Sequence, residues 1–263
     1  MSGGKGRKIQ SVQSSLEIIT SIQQLEGASV SELADKVGLT PGTVHTHLMT
    51  LVDHGFVVKE SNTYELGTQF VVLGEYVRNH SELYQAGKDE VDRLAEETGE
   101  CVHLIVEQQG WEVSLYEQFG AKAAGTELYI KKREDRRRTL HSTASGKAIL
   151  AYMSDDQVSE IVDEHGLPEA TSNTITDKED LFEELKHVRD RGFALNDEEE
   201  VLGTRAVAGP IRDSDRIVRG AVSLSAPSSR LTDDLFRTKI PKLITEAANI
   251  IELNLQATSL SNR

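Results

Sequence analysis

The sequence predicts an α+β protein in two parts, a small N-terminal helical domain and a larger domain of mixed strands and helices. At 263 residues the chain is longer than one ordinary domain, and its 38% of hydrophobic residues is enough for a core. Apolar residues recur at helical spacing through about residue 54, and the period changes to two at Cys101. We therefore assign residues 1–70 to the first domain, 71–87 to a connecting helix and 88–263 to the second domain.

The first domain begins with three helices in series. Residues 11–25 predict an amphipathic helix. Its expected inner face consists of Val12, Leu16, Ile19, Ile22 and Leu25. A second helix begins at Ser29, where Glu32 completes a capping box, and ends at Gly38. Pro41 then opens the third helix, because proline is favoured in a first turn.

A two-stranded hairpin follows the third helix. The runs FVVK and TYELG flank the polar turn of residues 60–63 and predict two short strands. Helix, helix, tight turn, helix and hairpin is the order of a winged helix-turn-helix, which binds double-stranded DNA. The alternative is an ordinary small helical domain without DNA binding. The apolar inner face of the third helix does not separate the two, because either domain would bury it. That face consists of Val44, Leu48, Leu51 and Val52. The order of the elements favours DNA binding.

The other face of the third helix offers short polar groups and no Lys or Arg. Threonines and histidines in a major groove can contact base edges and the thymine methyl group. The candidate DNA-binding residues of the domain are Ser29, Thr40, Gly42, Thr43, His45, Thr46, His47, Thr50 and Lys59.

The chain is acidic, with 43 Asp and Glu against 29 Lys and Arg and a net charge of −14. Residues 1–70 contain five basic and seven acidic residues, so most of the negative charge lies in the second domain. Dispersed carboxylates favour solubility in concentrated salt, where their repulsion is screened. Concentrated salt also weakens the counterion release that drives phosphate binding. We interpret the acidity and the uncharged third helix as signs of a halophilic source.

The remaining chain alternates between helical and strand patterns. Residues 70–100 predict two helical pieces interrupted at Gly74 and Gly87, and residues 101–120 predict two strands joined at Gln109 and Gly110. Further elements are an edge strand at 128–132, an exposed basic loop at 133–138, helices from 141, 154 and 177, two strands between 193 and 227, and a helix over 232–255.

Several classes of protein are not expected. The polar N-terminus has no signal-peptide core, and no apolar run approaches the ~20 residues of a membrane span, so we expect a cytoplasmic protein. Cys101 and His103 share one strand face, but no second Cys or His pair stands at ligand spacing, which favours a packed strand over a metal site. The ASGKA segment lacks the phosphate-loop pattern, so Lys147 is interpreted as a partly buried helix residue with an acidic partner. No cofactor is expected.

Nearly the whole chain resembles the IclR family of transcriptional regulators. The resemblance rests on GTVHTHLMTLVDHGFV, RLAEETGE, LHSTASGKAILAYM and LNDEEEVLGTRAVAGPIRDSDRIVRGAVSLSAP. It implies a GAF-like, ligand-sensing second domain, dimerisation through the N-terminal part and pairing into tetramers. In the third helix His45 and Thr46 depart from the family, whose members usually carry an aromatic residue followed by Arg.

The resemblance also implies a small-molecule pocket in the second domain. The matching positions are Ile130, Ala144, Ser145, Asp197, Ala206, Ser223 and Ser225. Ser223 and Ser225 alternate on one strand and so share a face. Backbone N–H groups at the helix start near Ala144 suit an anion. We therefore expect a small organic or sugar-derived acid, with Asp197 accepting hydrogen bonds from its hydroxyl groups.

These observations predict a sequence-specific, ligand-responsive transcription factor rather than an enzyme. A homodimer or tetramer would read a roughly palindromic operator with half-sites about one helical turn apart. One alternative is a hydrolase-like site of Ser145, His141 and Asp197, although no G-x-S-x-G motif is present. The other is a ligand-independent DNA-binding protein with a vestigial pocket.

Overall fold

The computed structural model describes residues 8–123 and 138–261. The chain divides into two compact units, residues 1–78 and 79–263. The first unit contains three helices, an antiparallel hairpin and a fourth helix that ends at the boundary. These elements are α1 (Gln10–Gln24), α2 (Val30–Val37), α3 (Pro41–Asp53), β1 (Val57–Glu60), β2 (Thr63–Leu66) and α4 (Gln69–Asn79). The predicted winged helix-turn-helix is confirmed.

Local signals start and stop these helices as predicted. Ser29 and Glu32 form the reciprocal capping box of α2, and Gly38 ends that helix in the left-handed conformation at φ 68°. The Thr40 hydroxyl accepts a hydrogen bond from the backbone N–H of Thr43 at the start of α3. The turn into α3 therefore begins at a left-handed glycine and ends at a side-chain cap.

The core of the first unit confirms the inner face predicted for α3, whereas of the residues predicted for the inner face of α1 it confirms Ile22 and corrects Val12, Leu16 and Leu25. Val44 and Leu48 are fully buried. On α1, however, Val12 and Leu16 are 54% and 59% exposed. The side of α1 that packs inward carries Ser14, Ile18, Ser21 and Ile22. The periodicity was misleading because α1 bears two apolar stripes, and only one of them packs within the unit.

In the part of the second unit that the structure describes, six strands form an antiparallel sheet with helices on both faces, in the strand order β5-β4-β3-β8-β7-β6. Its strands are β3 (Cys101–Gln108), β4 (Trp111–Phe119), β5 (Arg138–Thr139), β6 (Ala194–Asp197), β7 (Thr204–Arg212) and β8 (Val218–Pro227). Its helices are α5 (Glu82–Thr98), α6 (Ala144–Leu150), α7 (Asp155–His165), α8 (Lys178–Arg191) and α9 (Ile240–Ser261). A 3-10 turn (Leu140–Ser142) precedes α6, and a π-helical turn (Leu235–Lys239) precedes α9.

The two helical pieces predicted over residues 70–100 are confirmed, but the predicted breaks at Gly74 and Gly87 are wrong, because both glycines lie within helices. The chain leaves α4 after Asn79 and enters α5 at Glu82, where the Ser81 hydroxyl caps the helix by accepting from the Tyr84 N–H. Gly87 lies within α5, where an added Cβ would come 3.0 Å from a methyl carbon of Leu104. This glycine lets helix and sheet approach closely and does not end the helix.

The strands at 101–120 are confirmed, and so is the turn between them. Gln109 and Gly110 both have positive φ, 55° and 78°, as a two-residue hairpin turn of type I′ requires. The strand predicted at 128–132 lies outside the described residues. The basic run was predicted to be an exposed loop to its end, but Arg138 belongs to β5 and its side chain is only 14% exposed.

Alternate side chains of β3 point to opposite faces of the sheet. Val102 and Leu104 pack in a cluster with α5 and α9. Ile105 packs on the other side with residues of α6, α7 and α8. By alternation Cys101 and His103 also face the α6 side. Within residues 8–123 and 138–261, none of the helices has the length and apolar character needed to span a bilayer.

Candidate nucleic-acid interface and ligand pocket

The exposed surface of α3 is a stripe of small side chains. Thr43, Thr46 and Thr50 lie three and four residues apart, so they share one side of the helix. Gly42 is exposed beside them, and His45 is exposed at the flank. The stripe therefore presents only short, uncharged side chains.

The threonine hydroxyls on this stripe are bonded to the helix itself. Thr46 Oγ1 donates to the carbonyl of Gly42 at 3.0 Å, and Thr50 Oγ1 donates to the carbonyl of Thr46 at 3.2 Å. A hydroxyl turned back to the preceding turn leaves the γ-methyl group as the outward part of the side chain. At these two positions α3 therefore presents methyl groups.

Other candidate DNA-binding residues have contacts within the protein. His47 is half-buried, and its Nδ1 lies 2.8 Å from the hydroxyl of Ser15 on α1. The Ser29 hydroxyl donates to the Glu32 carboxylate at 2.7 Å, and Thr40 caps α3. His47 was expected to face DNA, and the structure instead makes it a contact between α3 and α1. Lys59 is exposed on β1.

Five of the predicted pocket residues lie around one cleft in the second unit. It is nearly closed in this structure, with room of about 10 Å³, enough for one water-sized sphere. The cleft, here called the ligand pocket, is lined by Ala144, Ser145, Ala206, Ser223 and Ser225 together with His103, Ile105, Arg138, Thr143, Asn196, Glu200, Val201 and Thr204. Ile130 lies outside the described residues.

Asp197 does not line the ligand pocket. Its carboxylate accepts from Arg205 at 2.6 Å and lies 3.5 Å from the guanidinium of Arg237. Successive strand residues point to opposite faces, and on β6 it is Asn196 that lies toward the pocket. The expectation that Asp197 accepts hydrogen bonds from a ligand is therefore wrong, and the residue of β6 that lines the pocket is its neighbour Asn196.

The start of α6 is already bonded to a carboxylate of the protein. Glu112 on β4 accepts from the hydroxyls of Thr143 and Ser145, the latter at 2.6 Å. Glu112 also pairs with Arg138, whose guanidinium makes two further bonds to Glu200 at 2.7 and 2.6 Å. The Ser145 hydroxyl is thus engaged by Glu112, and Arg138 is the pocket residue with a fixed positive charge.

Sequence reasoning missed most of this ion network. Arg138 stood at the end of a basic run that predicted a loop, and Glu112 stood at the start of an otherwise ordinary strand. For His103, another pocket residue, the sequence does contain a signal. Strand alternation places it on the same face as Cys101, and that face is buried.

The three residues of the hydrolase alternative have separate partners. Ser145 bonds to Glu112, and Asp197 bonds to Arg205. His141 lies with Nε2 3.2 Å from the carbonyl of Pro168. Burial lowers the pKa of His141, and the nearby Lys147 lowers it further, which favours the neutral ring. The arrangement gives Ser145 a carboxylate acceptor and no histidine base.

Comparisons with known proteins cover both units. The IclR helix-turn-helix domain matches residues 11–61, and the bacterial transcriptional regulator IclR C-terminal domain matches residues 75–252. The probable HTH-type transcriptional regulator ArcR of Halobacterium salinarum is 39% identical over 254 residues, covering 96% of each chain. Its source agrees with the halophilic origin predicted from the charge.

Solved structures show the same fold. A putative IclR transcriptional regulator from Silicibacter sp. TM1040 superposes with a TM-score of 0.76 at 28% identity, covering 93% of this chain and 96% of that one. An IclR homologue from Microbacterium hydrocarbonoxydans complexed with 4-hydroxybenzoate gives a TM-score of 0.73 at 22% identity, with coverage of 92% and 99%. The chain belongs to the IclR family of DNA-binding transcriptional regulators, with a winged helix-turn-helix and an IclR effector domain.

Proposed function

We propose that this regulator acts in the cytoplasm, reads a palindromic operator with the threonine stripe of α3, and responds to a small organic acid in the ligand pocket. The observation that carries the ligand class is Arg138, a guanidinium held in the pocket wall by two carboxylates. Guanidinium groups bind carboxylates in a bidentate manner, so the same group suits the carboxylate of a ligand.

The ligand would act by displacing Glu200 from Arg138. A ligand carboxylate bound to Arg138 competes with Glu200, which lies between β6 and β7 and whose side chain is 25% exposed. Release of Glu200 would alter the segment that joins these strands. Such a ligand binds one state of the unit better than the other, which is the condition for shifting DNA affinity. The bound 4-hydroxybenzoate of the Microbacterium homologue supports a small acid as the ligand, and the cleft would open to admit it.

DNA recognition would depend on shape and methyl contacts more than on charge. The outward methyl groups of Thr46 and Thr50 can pack against thymine methyl groups in the major groove. Thr43 and His45 add hydrogen-bonding groups at the exposed surface of α3. The proposal accounts for a recognition helix without Lys or Arg in an acidic chain.

The methyl contact can be tested by paired substitutions at one position. Thr46→Val keeps the methyl group and should retain operator affinity, whereas Thr46→Ser removes it. Losing about 0.8 kcal/mol per methyl in each of two half-sites predicts roughly tenfold weaker binding. Footprinting and fluorescence anisotropy on the mapped operator would measure both.

A matched control is Thr258→Ser on α9, where the hydroxyl makes the same bond to the residue four positions earlier. That variant should bind DNA like the native protein. A Thr46→Val protein that binds weakly while Thr46→Ser binds like the native protein would show that the hydroxyl, and not the methyl, contacts the operator.

A homodimer is supported by apolar surface on the first unit. The outer stripe of α1 includes Ile9, Val12 and Leu16, and α4 has no buried residue. The exposed apolar residues of α4 are Val71, Val72, Leu73, Tyr76 and Val77. Contiguous apolar surface of this kind marks a protein interface. We propose that a second copy covers it, since a two-fold symmetric dimer matches a palindromic operator.

Val72→Glu should convert this dimer into monomers and abolish tight operator binding. A charge at the centre of the apolar stripe would be buried without a partner in the dimer. Sedimentation velocity at micromolar concentration would measure the mass. The control is Ile217→Glu, an exposed apolar position on the turn after β7, which should leave the dimer intact. A Val72→Glu protein that remains dimeric would place the interface elsewhere.

A further inference from the structure

We propose that Cys101, His103 and Glu117 bind a divalent transition cation, Zn²⁺ by its ligand chemistry, in the wall of the ligand pocket. The three donor atoms all lie within 4.8 Å of one another in the second unit. A thiolate and an imidazole select Zn²⁺ and similar ions over Mg²⁺ or Ca²⁺, which prefer oxygen ligands alone.

The spacing of the donors matches the edges of a coordination tetrahedron. Cys101 Sγ lies 3.8 Å from His103 Nδ1, and His103 Nδ1 lies 3.2 Å from Glu117 Oε2. Ligands at ~2.3 Å for sulfur and ~2.0 Å for nitrogen or oxygen stand roughly 3.3–3.6 Å apart around tetrahedral zinc. These two pairs need shifts of only a few tenths of an ångström, and Cys101 and Glu117, whose donor atoms lie within 4.8 Å, would approach by up to roughly an ångström to complete the site.

The sheet brings these residues together from two strands. Cys101 and His103 alternate on β3, and Glu117 is the direct partner of His103 on β4. No second Cys or His pair stands at ligand spacing in the sequence, which predicts a packed strand. The third donor is instead a carboxylate that faces His103 across the strand register, which sequence spacing does not show.

Ser225 on β8 orients the imidazole for metal binding. His103 Nε2 lies 2.9 Å from the Ser225 hydroxyl. A neutral histidine that donates from Nε2 carries its lone pair on Nδ1, the nitrogen that faces Cys101 and Glu117. Metal-binding histidines commonly have such a second partner on the other ring nitrogen.

Among residues 8–123 and 138–261 the site has three protein ligands, which leave one tetrahedral position for a further donor, as in zinc sites that bind water or substrate. His103 and Ser225 line the ligand pocket, so that position would be supplied from the pocket. This step refines the proposed acid effector, whose carboxylate could occupy it. Metal binding itself is independent of the effector and of DNA.

Cobalt provides the direct test because its tetrahedral thiolate complexes are coloured. Tag-free full-length protein, stripped with a chelator, would be titrated with Co²⁺ and then with Zn²⁺, without effector or DNA. We expect one cobalt per chain, visible d–d bands, a near-ultraviolet thiolate-to-cobalt band, and displacement by Zn²⁺.

Two variants separate the ligands. Cys101→Ser should remove the thiolate band, and Glu117→Gln should retain it while weakening Zn²⁺ binding by about tenfold or more. Glu117 is partly exposed, so the glutamine variant should fold. The control is His187→Gln, an exposed histidine 3.5 Å from Glu183 on α8. That variant should bind Zn²⁺ like the native protein.

The proposal is overturned if the cobalt complex lacks the thiolate band. It is also overturned if Cys101→Ser and Glu117→Gln both bind Zn²⁺ with native affinity. Because no operator or effector is present, either result leaves the proposed regulatory function standing.

Discussion

Replacing Lys147 with Met should lower the free energy of unfolding by about 3–5 kcal/mol, the usual cost of breaking a buried ion pair from one side. Lys147 on α6 is 1% exposed, and its Nζ lies 2.6 Å from both carboxylate oxygens of Glu199. Methionine fills similar volume but leaves the Glu199 carboxylate buried without its cation. The expected fall in Tm is roughly 6–20 °C.

The loss should depend on pH in a defined direction. Burial raises the pKa of Glu199, and the charge of Lys147 opposes that rise. Without Lys147 the folded-state pKa rises further above the unfolded value. A carboxyl group with a raised folded pKa favours folding below the unfolded pKa, and this contribution disappears as pH rises through the folded pKa. The variant should therefore be most destabilised at neutral and alkaline pH and least near pH 4.

Urea unfolding followed by the fluorescence of the single tryptophan, Trp111, would report on the second unit. Lys186→Met on the exposed side of α8 is the control and should change stability by less than ~0.5 kcal/mol. The double variant Lys147→Met/Glu199→Gln should recover part of the loss. If Lys147→Met is as stable as the control at pH 7, the buried pair does not stabilise the fold.

Replacing Arg138 with Gln should weaken binding of an acid effector by roughly tenfold to a hundredfold. A hydrogen bond to a charged group contributes about 1.5–3 kcal/mol, and this substitution removes the charge from the pocket wall. Operator binding without effector should persist, since Arg138 lies in the second unit. A thermal-shift panel that starts with 4-hydroxybenzoate, followed by calorimetry on each acid that binds, would measure the change.

Arg205→Gln is the matched control for this experiment. Arg205 also bonds to two carboxylates, those of Asp197 and Asp233, but it does not line the ligand pocket. Its removal should leave effector affinity within about twofold of the native value. An effector that binds Arg138→Gln normally but loses affinity for Arg205→Gln would place the acid-binding site beside Asp197.

The elements of the fold could be predicted where local chemistry decides them. The capping box of Ser29, the proline at the start of α3 and the turn at Gln109 and Gly110 depend on a few adjacent residues, and all three are confirmed. The inner face of α1 and the role of Gly87 depend on what packs against the helix. Sequence periodicity cannot show which of two apolar stripes is covered within the same unit.

The site was predictable only through strand alternation and the family resemblance. Together they brought Ser145, Ala206, Ser223 and Ser225 to one cleft. They failed at Asp197, because a shift of one residue on β6 reverses the face. Arg138 and the carboxylates that hold it come from strands and loops far apart in the chain, so no local pattern joins them.

The alternation on β3 also bears on how such regulators can diversify. Its even-numbered residues, such as Val102 and Leu104, belong to the core with α5 and α9, whereas His103 and Ile105 on the opposite face line the ligand pocket. Substitutions on the pocket side can therefore change the chemistry of the signal while the opposite side preserves the fold. Residues that determine ligand specificity and residues that stabilise the fold alternate along one strand. Natural selection can therefore change ligand specificity without a compensating change in the core.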